Sequence, residues 1–429
     1  MHSSYQTRLK SMPLARSWLV VMVISLFFFY EFGLGNAFNT LTPAILQEYP
    51  TLNAVNVSFI SSLYFYTNIG FMLISAPILD RYSSKHAIAV ALSICSLSVL
   101  IFAYTHNVYV LGFARLLMGL GASFSLVGCV RIATNWFPAD RLGFVIGIII
   151  AIGMLGGYAA QAPVGYLLDA LGLKGSLIAI GLIGFAIVFL IMVVVHNAPF
   201  ELREMRKAQA RELKGQFIFK TILTVLKNPQ NIYCSLYVGL INIGTWMLGG
   251  MWSNTYLIKT QGVSVLEARS ITGFIFIGMI FAYPFWGWLT ERLQRRKTPL
   301  ILGALGSLIV ILIMMLFSVN AFGLSVIYFM LGFMTSAQTV AYPLAGEINP
   351  MKNNAVATSL VSMNSLFWGG IVAMPLFGIL TEKFNMAMGY PSDAAAGLNF
   401  GMGILLIGFI LSIMIAFLVK ETYCKRQVE

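Results

Sequence analysis

Apolar stretches of about twenty residues recur from one end of this chain to the other, separated by short polar segments. At roughly 1.5 Å of rise per residue, each is long enough to cross a hydrocarbon layer of about 30 Å as a helix. The stretches are continuous rather than alternating, so they do not read as the strands of a membrane β-barrel. The pattern predicts helices at 17–40, 57–79, 86–105, 109–131, 142–165 and 174–196, then at 231–257, 268–289, 298–318, 322–346, 353–380 and 398–420. Six helices, a gap and six more imply an all-α membrane protein. Its twelve transmembrane helices form two six-helix pseudo-repeats: an N-terminal bundle over 1–200, a linker over 201–229 and a C-terminal bundle over 230–429.

Composition supports a lipid solvent, with 59% hydrophobic residues, 10% charged residues and a mean hydropathy of +0.84. The net charge of +12 is sorted by loop. With the N-terminus inside, twenty-two Lys and Arg fall in cytoplasmic segments and four on the far side, namely Lys174, Lys259, Arg269 and Lys383. Arg115 lies within a helix. By the positive-inside rule both termini are cytoplasmic, and the basic excess reports orientation rather than a nucleic-acid partner. The stretch ELREMRKAQARELKGQ between the two sixes has no run long enough to span and reads as a cytoplasmic linker lying on the inner surface. The basic start (Arg8, Lys10, Arg16) leads into a run too long for a signal peptide, so that run is taken as the first membrane helix. Cys95, Cys129, Cys234 and Cys424 are scattered singly, which indicates neither a disulfide framework nor a metal site.

The halves carry related sequence. APILDRYSSKHAI follows the second helix and GWLTERLQRRKTPLI follows the eighth, so that Asp80-Arg81 and Glu291-Arg292 occupy equivalent turns 211 residues apart. With these motifs in order the chain resembles the major facilitator superfamily of secondary transporters over essentially its whole length. The superfamily's loop motif, roughly G-x-L-x-D-R-x-G-R-K, is matched by Gly287, Leu289, Glu291, Arg292, Arg295, Arg296 and Lys297. In the first half Ala76, Ser83 and Ser84 depart from it. An acid followed by bases at a helix end can latch one conformation of a carrier, or be ordinary positive-inside charge. The gating candidates are Asp80, Arg81, Arg141, Gly287, Glu291, Arg292 and Arg296. Arg115-Leu-Leu-Met-Gly119-Leu-Gly121 resembles the superfamily's R-x-x-x-G-x-G motif, and Asn135-Trp-Phe-Pro138-Ala-Asp140-Arg141 resembles the WFP…R loop of its anion-cation symporter-like branch.

Glu31 and Arg115 are the two charges well inside predicted spans, at depths that differ by only a few ångströms. Burial disfavours a carboxylate's charged form and a neighbouring cation favours it, so small movements of Arg115 can switch Glu31 between states. The resemblance implies that an acid on the first helix paired with this arginine carries the coupling proton. A purely structural ion pair, or direct contact with a charged group of the substrate, are the other readings.

Gly- and Pro-interrupted helices in corresponding places, GMLGGYAAQAPVGYLLD and NSLFWGGIVAMPLFGIL, point to a central cavity. The first departs from the G-P-x-x-G-G form of drug antiporters. Polar residues within spans are the cavity candidates: Asn36, Tyr64, Asn68 and Gln161 in the first half, and Asn242, Trp246, Gln338, Tyr342, Asn364 and Trp368 in the second. For any one of them, an ordinary interhelical hydrogen bond is the competing role. Trp252, Trp286 and Trp288 read as interfacial anchors, and Glu347 as a gate or cap.

No enzyme is indicated: the histidines lie at termini or span ends, there is no HExxH or GxSxG, and no cofactor or metal is implied. The function read from the residues and the resemblance is secondary active transport by alternating access with proton-coupled uptake. The substrate is a small polar or zwitterionic solute, such as an amino acid, peptide, organic acid or small siderophore. With no intramembrane arginine in the second half, a strongly anionic substrate is disfavoured. The alternatives are a facilitative carrier or a drug or metabolite exporter, and beyond these a receptor that binds a solute without moving it. The expected setting is a monomer in a bacterial inner membrane, with small-molecule substrate, protons and the lipid bilayer as partners.

Overall fold

The structure, a computed structural model, describes residues 14–138, 141–199, 218–317, 319–350, 353–392 and 394–427. Among them no strand occurs, and twelve helices are long and apolar enough to cross a membrane. The first half contributes Leu14–Asn36, Ala54–Ser75, Ser84–Tyr104, Val108–Trp136, Leu142–Ala159 and Ala162–Val194. The second contributes Pro229–Gln261, Val265–Leu293, Lys297–Leu316, Ala321–Glu347, Val356–Ala387 and Ala395–Leu418. They fall on the twelve stretches that the hydrophobic pattern predicts. The boundary that differs most is between the fifth and sixth spans. Gly172, at φ 67°, makes the turn inside Ala162–Val194, so the fifth span runs past 165 and the sixth starts directly after the glycine. That φ is one a residue without Cβ adopts at little cost.

Several spans are not continuous α-helices. The first is interrupted at Ala37 before continuing as Phe38–Glu48. The fourth divides into Val108–Ala122 and Ser125–Trp136, and the fifth breaks at Ala160-Gln161. The seventh and eleventh contain π-helical segments, Thr245–Trp252 and Phe367–Ala373. Each irregularity removes regular i to i−4 partners, and in hydrocarbon the freed carbonyls need other donors. Trp252 supplies one: its indole donates to the Met374 carbonyl at 2.9 Å. Trp252 and Trp286 are therefore buried rather than interfacial, Trp286 donating to Phe333 O at 2.8 Å. Trp288 is exposed, with the Arg292 guanidinium over its ring.

Two compact units emerge. One comprises the described residues within 14–34, 66–156 and 171–199, and the other those within 35–65, 157–170 and 218–427. In the second unit, ends of the first, second and fifth spans thus pack with the second half of the sequence.

One capping arrangement recurs within each unit. In the first, Asn197 Oδ1 accepts from Lys85 N at 2.7 Å, Lys85 Nζ reaches Met192 O, and Asn135 Nδ2 donates to Asn197 O. In the second, Glu421 accepts from Arg296 N at 2.7 Å and Lys297 N at 2.9 Å, and Lys297 Nζ reaches Phe417 O. Glu347, whose place in Glu347-Ile348-Asn349-Pro350 matches that of Asn135 in Asn135-Trp136-Phe137-Pro138, takes Arg296 Nε and Nη2 at 3.1 and 2.5 Å and Thr422 Oγ1 at 2.5 Å. The chain end closes over this group, with Gln427 N donating to Glu347 O at 2.8 Å. Partial burial pushes the Glu421 carboxyl up. Backbone N–H donors from Arg296, Lys297, Tyr423 and Thr422 outweigh that and hold it below the usual carboxylate range.

Close approach of the eighth and tenth spans depends on two glycines. A methyl at Gly278 would lie 2.1 Å from Phe329 O, and one at Gly332 1.9 Å from Ile275 O, so a side chain at either forces the backbones apart. Gly332→Val is expected to destabilise the protein by at least about 1–3 kcal/mol, seen as a lower midpoint of thermal unfolding in detergent. Glu421→Ala tests the tail cap. A depressed folded pKa means the carboxylate stabilises fully above its unfolded value of about 4.3 and less as pH falls through the folded one. The variant should therefore melt several degrees below wild type at pH 7, and the gap should close as pH drops below about 4.

Candidate functional site

Glu31 and Arg115 lie on the first and fourth spans, both within the first unit and both buried. Ser125 Oγ donates to Glu31 Oε2 at 3.0 Å, from the first residue after the break in the fourth span. Arg115 Nη1 donates to Leu34 O at 3.3 Å and lies 3.7 Å from Met118 Sδ. Leu34 is three residues, about 4.5 Å of rise, beyond Glu31. The guanidinium thus grips the turn next to the carboxylate, and the two charges that the sequence singled out occupy neighbouring turns of one helix's surroundings.

A second polar group lies within the second unit, where the breaks in the first and fifth spans meet the π-helix of the seventh. Gln161 Nε2 donates to Gly249 O at 3.1 Å and Asn36 O at 3.4 Å, while its Oε1 accepts from Asn39 Nδ2 at 3.0 Å. Thr40 Oγ1 donates to Ala160 O at 2.8 Å. Asn39 Oδ1 accepts from Asn254 N at 3.0 Å, and Thr272 Oγ1 donates to Asn254 Oδ1 at 3.0 Å. Gln161 was expected from its place in a Gly/Pro-rich helix. Asn39, Asn254 and Thr272 were not, because single short polar residues near span ends are common and carry no periodic signal. Beside this group Arg269 Nη1 meets Asp169 Oδ2 at 2.6 Å, the arginine buried and the aspartate largely exposed.

The third group lies in the second half. Asn242 Nδ2 donates to Ser365 Oγ, Trp246 Nε1 donates to the same oxygen at 3.3 Å, and Gln338 Nε2 donates to Asn242 Oδ1 at 3.3 Å. Ser362 Oγ lies 3.5 Å from Tyr342 OH. Three of the second-half candidates are therefore brought together, with Tyr342 at their edge. Tyr64 packs edge-on to Phe65, and Phe65 edge-on to Trp246, each at 5.0 Å between ring centres. Asn364 donates to its own helix at Leu360 O, and Trp368 fills the space left by Gly239. Asn68 is buried in the first unit. Sequence reasoning missed Ser362, Ser365 and Tyr283. The signal available for Tyr283 was Pro284, which interrupts the eighth span.

Of the gating candidates, Arg296 is the one drawn into the buried network with Glu347. Arg141, Glu291 and Arg292 are exposed, and a methyl at Gly287 would meet open space. The side chains of Asp80 and Arg81, like Asp140 and the linker 201–217, lie outside the described residues. An apolar cavity of about 280 Å³ lined by Ile78, Tyr82, Val90 and Leu120 among others has His86 at its wall. Without converging polar groups it offers shape and no chemistry, so the polar groups above are the stronger site candidates.

The model of the Major Facilitator Superfamily matches this chain twice, over residues 21–268 and 234–427. The chain belongs to the major facilitator superfamily. It is similar to the gallate transporter of Pseudomonas putida, 24% identical over 89% of this chain and 91% of the relative. It is also similar to the probable galactarate/D-glucarate transporter of Escherichia coli, 24% identical over 69% and 72%. Its fold resembles the crystal structure of a bacterial homolog to the human lysosomal transporter Spinster, in an inward-facing and unoccupied conformation. That likeness has a TM-score of 0.75 at 16% identity, covering 95% of this chain and 98% of the other, and speaks for the fold alone. This superfamily member is thus a multi-pass membrane protein of a solute-transporting family.

The amide group around Gln161 has a direct test. Asn39→Leu leaves the Gln161 and Asn254 groups short of partners in a dry setting and is expected to cost about 1–3 kcal/mol. In a double-mutant cycle, Asn39→Leu with Gln161→Leu should cost clearly less than the sum of the single changes, read by thermal unfolding.

Proposed function

We propose that this protein is a secondary active transporter that takes up a small organic acid by alternating access, with Glu31 carrying a coupled proton and Arg115 tuning it. The observation that carries the reading is the burial of this one acid and one arginine on neighbouring turns inside membrane spans. Intramembrane ionisable residues are expensive and are kept where ions or substrates pass. The relatives' substrates, gallate and galactarate or glucarate, favour an organic acid from among the small polar solutes that the sequence allows. The reading includes import by symport, bundles over 1–200 and 230–429 joined by a linker over 201–229, and a monomer in a bacterial inner membrane with both termini cytoplasmic. Asp80, Arg81, Arg141, Gly287, Glu291, Arg292 and Arg296 serve as the gating loops, Arg296 acting through Glu347.

A simple proton movement suffices. With Glu31 protonated, Arg115 is left to the Leu34 carbonyl. With Glu31 ionised, its charge is held by Ser125 and the nearby cation. Ionised Glu31 attracts the arginine and protonated Glu31 releases it, which links the proton to the packing of the first and fourth spans.

In proteoliposomes, Glu31→Gln is expected to abolish accumulation of labelled gallate or galactarate driven by an imposed pH gradient while leaving exchange of preloaded substrate within a few-fold of wild type. Undiminished pH-driven accumulation would show that the Glu31 and Arg115 side chains are structural, and would leave a facilitative carrier as the reading.

A further inference from the structure

The seventh and eleventh spans each contain a π-helical segment, a distortion that is retained where a span does more than cross the membrane. The two segments are fitted to one another. Gly369 leaves room for the Trp246 indole, which a methyl there would approach to 2.6 Å, and Trp252 donates to Met374 O where the eleventh span's segment ends. Just before each segment stand Asn242 and Ser365, hydrogen-bonded to each other, and Gln338 of the tenth span joins them through Asn242 Oδ1.

That arrangement uses the Gln338 N–H and leaves its Oε1 buried without a hydrogen-bond partner among the described residues, in a side chain whose residue is 4% exposed. Buried acceptors are ordinarily satisfied, and one that is not is a place for a donor to arrive. Around it the chemistry is uniform. Tyr283 lies in the neighbourhood of Gln338 and Tyr342, and the Tyr342 phenol is 3.5 Å from Ser362 Oγ. Every group here is a neutral amide, hydroxyl or phenol, and most both donate and accept.

We infer that this is the substrate-recognising site of the second half, and that it takes the hydroxyl groups of a hydroxylated organic acid, one O–H donating to Gln338 Oε1. A carboxylate accepts only and finds no cation in the group, and an ammonium finds no anion. A hydroxyl matches, because it gives to the open oxygen and accepts from the phenols and serines. The Trp246 ring and phenol faces suit the C–H faces of a polyol or an aromatic ring. This inference rests on the transport reading above for the identity of the ligand as cargo.

The test compares acids alike in carbon skeleton and carboxylates and different in hydroxyls: galactarate against adipate, and gallate against benzoate, titrated calorimetrically onto the purified carrier. At least one hydroxylated member should bind at least about tenfold more tightly than its partner, since a site built to bond a hydroxyl is left unpaired by the analogue lacking it. Gln338→Leu should bring that ratio close to one. Tyr283→Phe, which keeps shape and removes one hydroxyl, should lower it several-fold in a protein that still melts cooperatively. Equal binding within both pairs, no binding by any of the four, or a ratio unchanged in both variants would overturn the inference. Uptake assays separate the two readings: discrimination in binding with no transport sinks the carrier and leaves the site, whereas transport without discrimination does the reverse.

Discussion

The structure depends first on a constraint of its solvent. In hydrocarbon a backbone carbonyl has no water to fall back on, so each departure from regular helix must be answered by a donor from the protein. The answers are specific. The break at Ala37 is met by Gln161 on Asn36 O, the break at Ala160-Gln161 by Thr40 on Ala160 O, and the π-helix of the seventh span by Gln161 and Asn39 on Gly249 O. The end of the π-helix in the eleventh span is met by Trp252. The buried amides of this unit are thus part of the backbone's hydrogen bonding, displaced from main chain to side chain.

This explains why irregular segments and polar side chains fall together in the first, fifth, seventh and eleventh spans. A helix that bends or rewinds needs exchangeable partners, and side-chain amides can trade one carbonyl for another at little cost. Regular spans such as Lys297–Leu316 have no such groups at their centres and pack through small residues and aliphatic side chains instead. Charge is rationed more strictly still. Glu31 and Arg115 stand in the middle of spans, and the remaining buried charges, such as Arg269 and Arg296, sit at span ends with a carboxylate partner.

Much of this was legible in the sequence, for a physical reason. Twelve apolar runs of spanning length are a composition signal, independent of packing, and they gave the helices to within a few residues except at Gly172, where a one-residue turn leaves no polar gap to read, and at the ends of the first and eleventh spans, which run on to Glu48 and Ala387. Glu31 and Arg115 were visible because a charge in an apolar run is conspicuous. What stayed hidden was relational. Nothing in Asn39, Asn254, Ser365 or Tyr283 as single letters distinguishes them from other polar residues in spans. Their meaning comes from neighbours distant in the chain, more than a hundred residues away for Asn39 and Ser365 and more than fifty for Tyr283. Trp252 and Trp286 misled for the same reason: tryptophan near a span end suggests an interface, and only packing reveals a buried carbonyl for the indole to meet.

The two capping arrangements at the span ends have a consequence of their own. The repeats solve one geometric problem with different chemistry, side-chain amides of Asn197 and Asn135 in the first half and the carboxyl groups of Glu421 and Glu347 with Arg296 in the second. Neutral hydrogen bonds are nearly indifferent to dissolved ions, whereas partly exposed carboxylates are screened over a Debye length of about 8–10 Å. A duplicated fold has in this way become chemically lopsided. The carboxylate caps of the second repeat are thereby open to screening by dissolved ions, whereas in the first the salt-sensitive group among those named is the Lys85 ammonium on Met192 O.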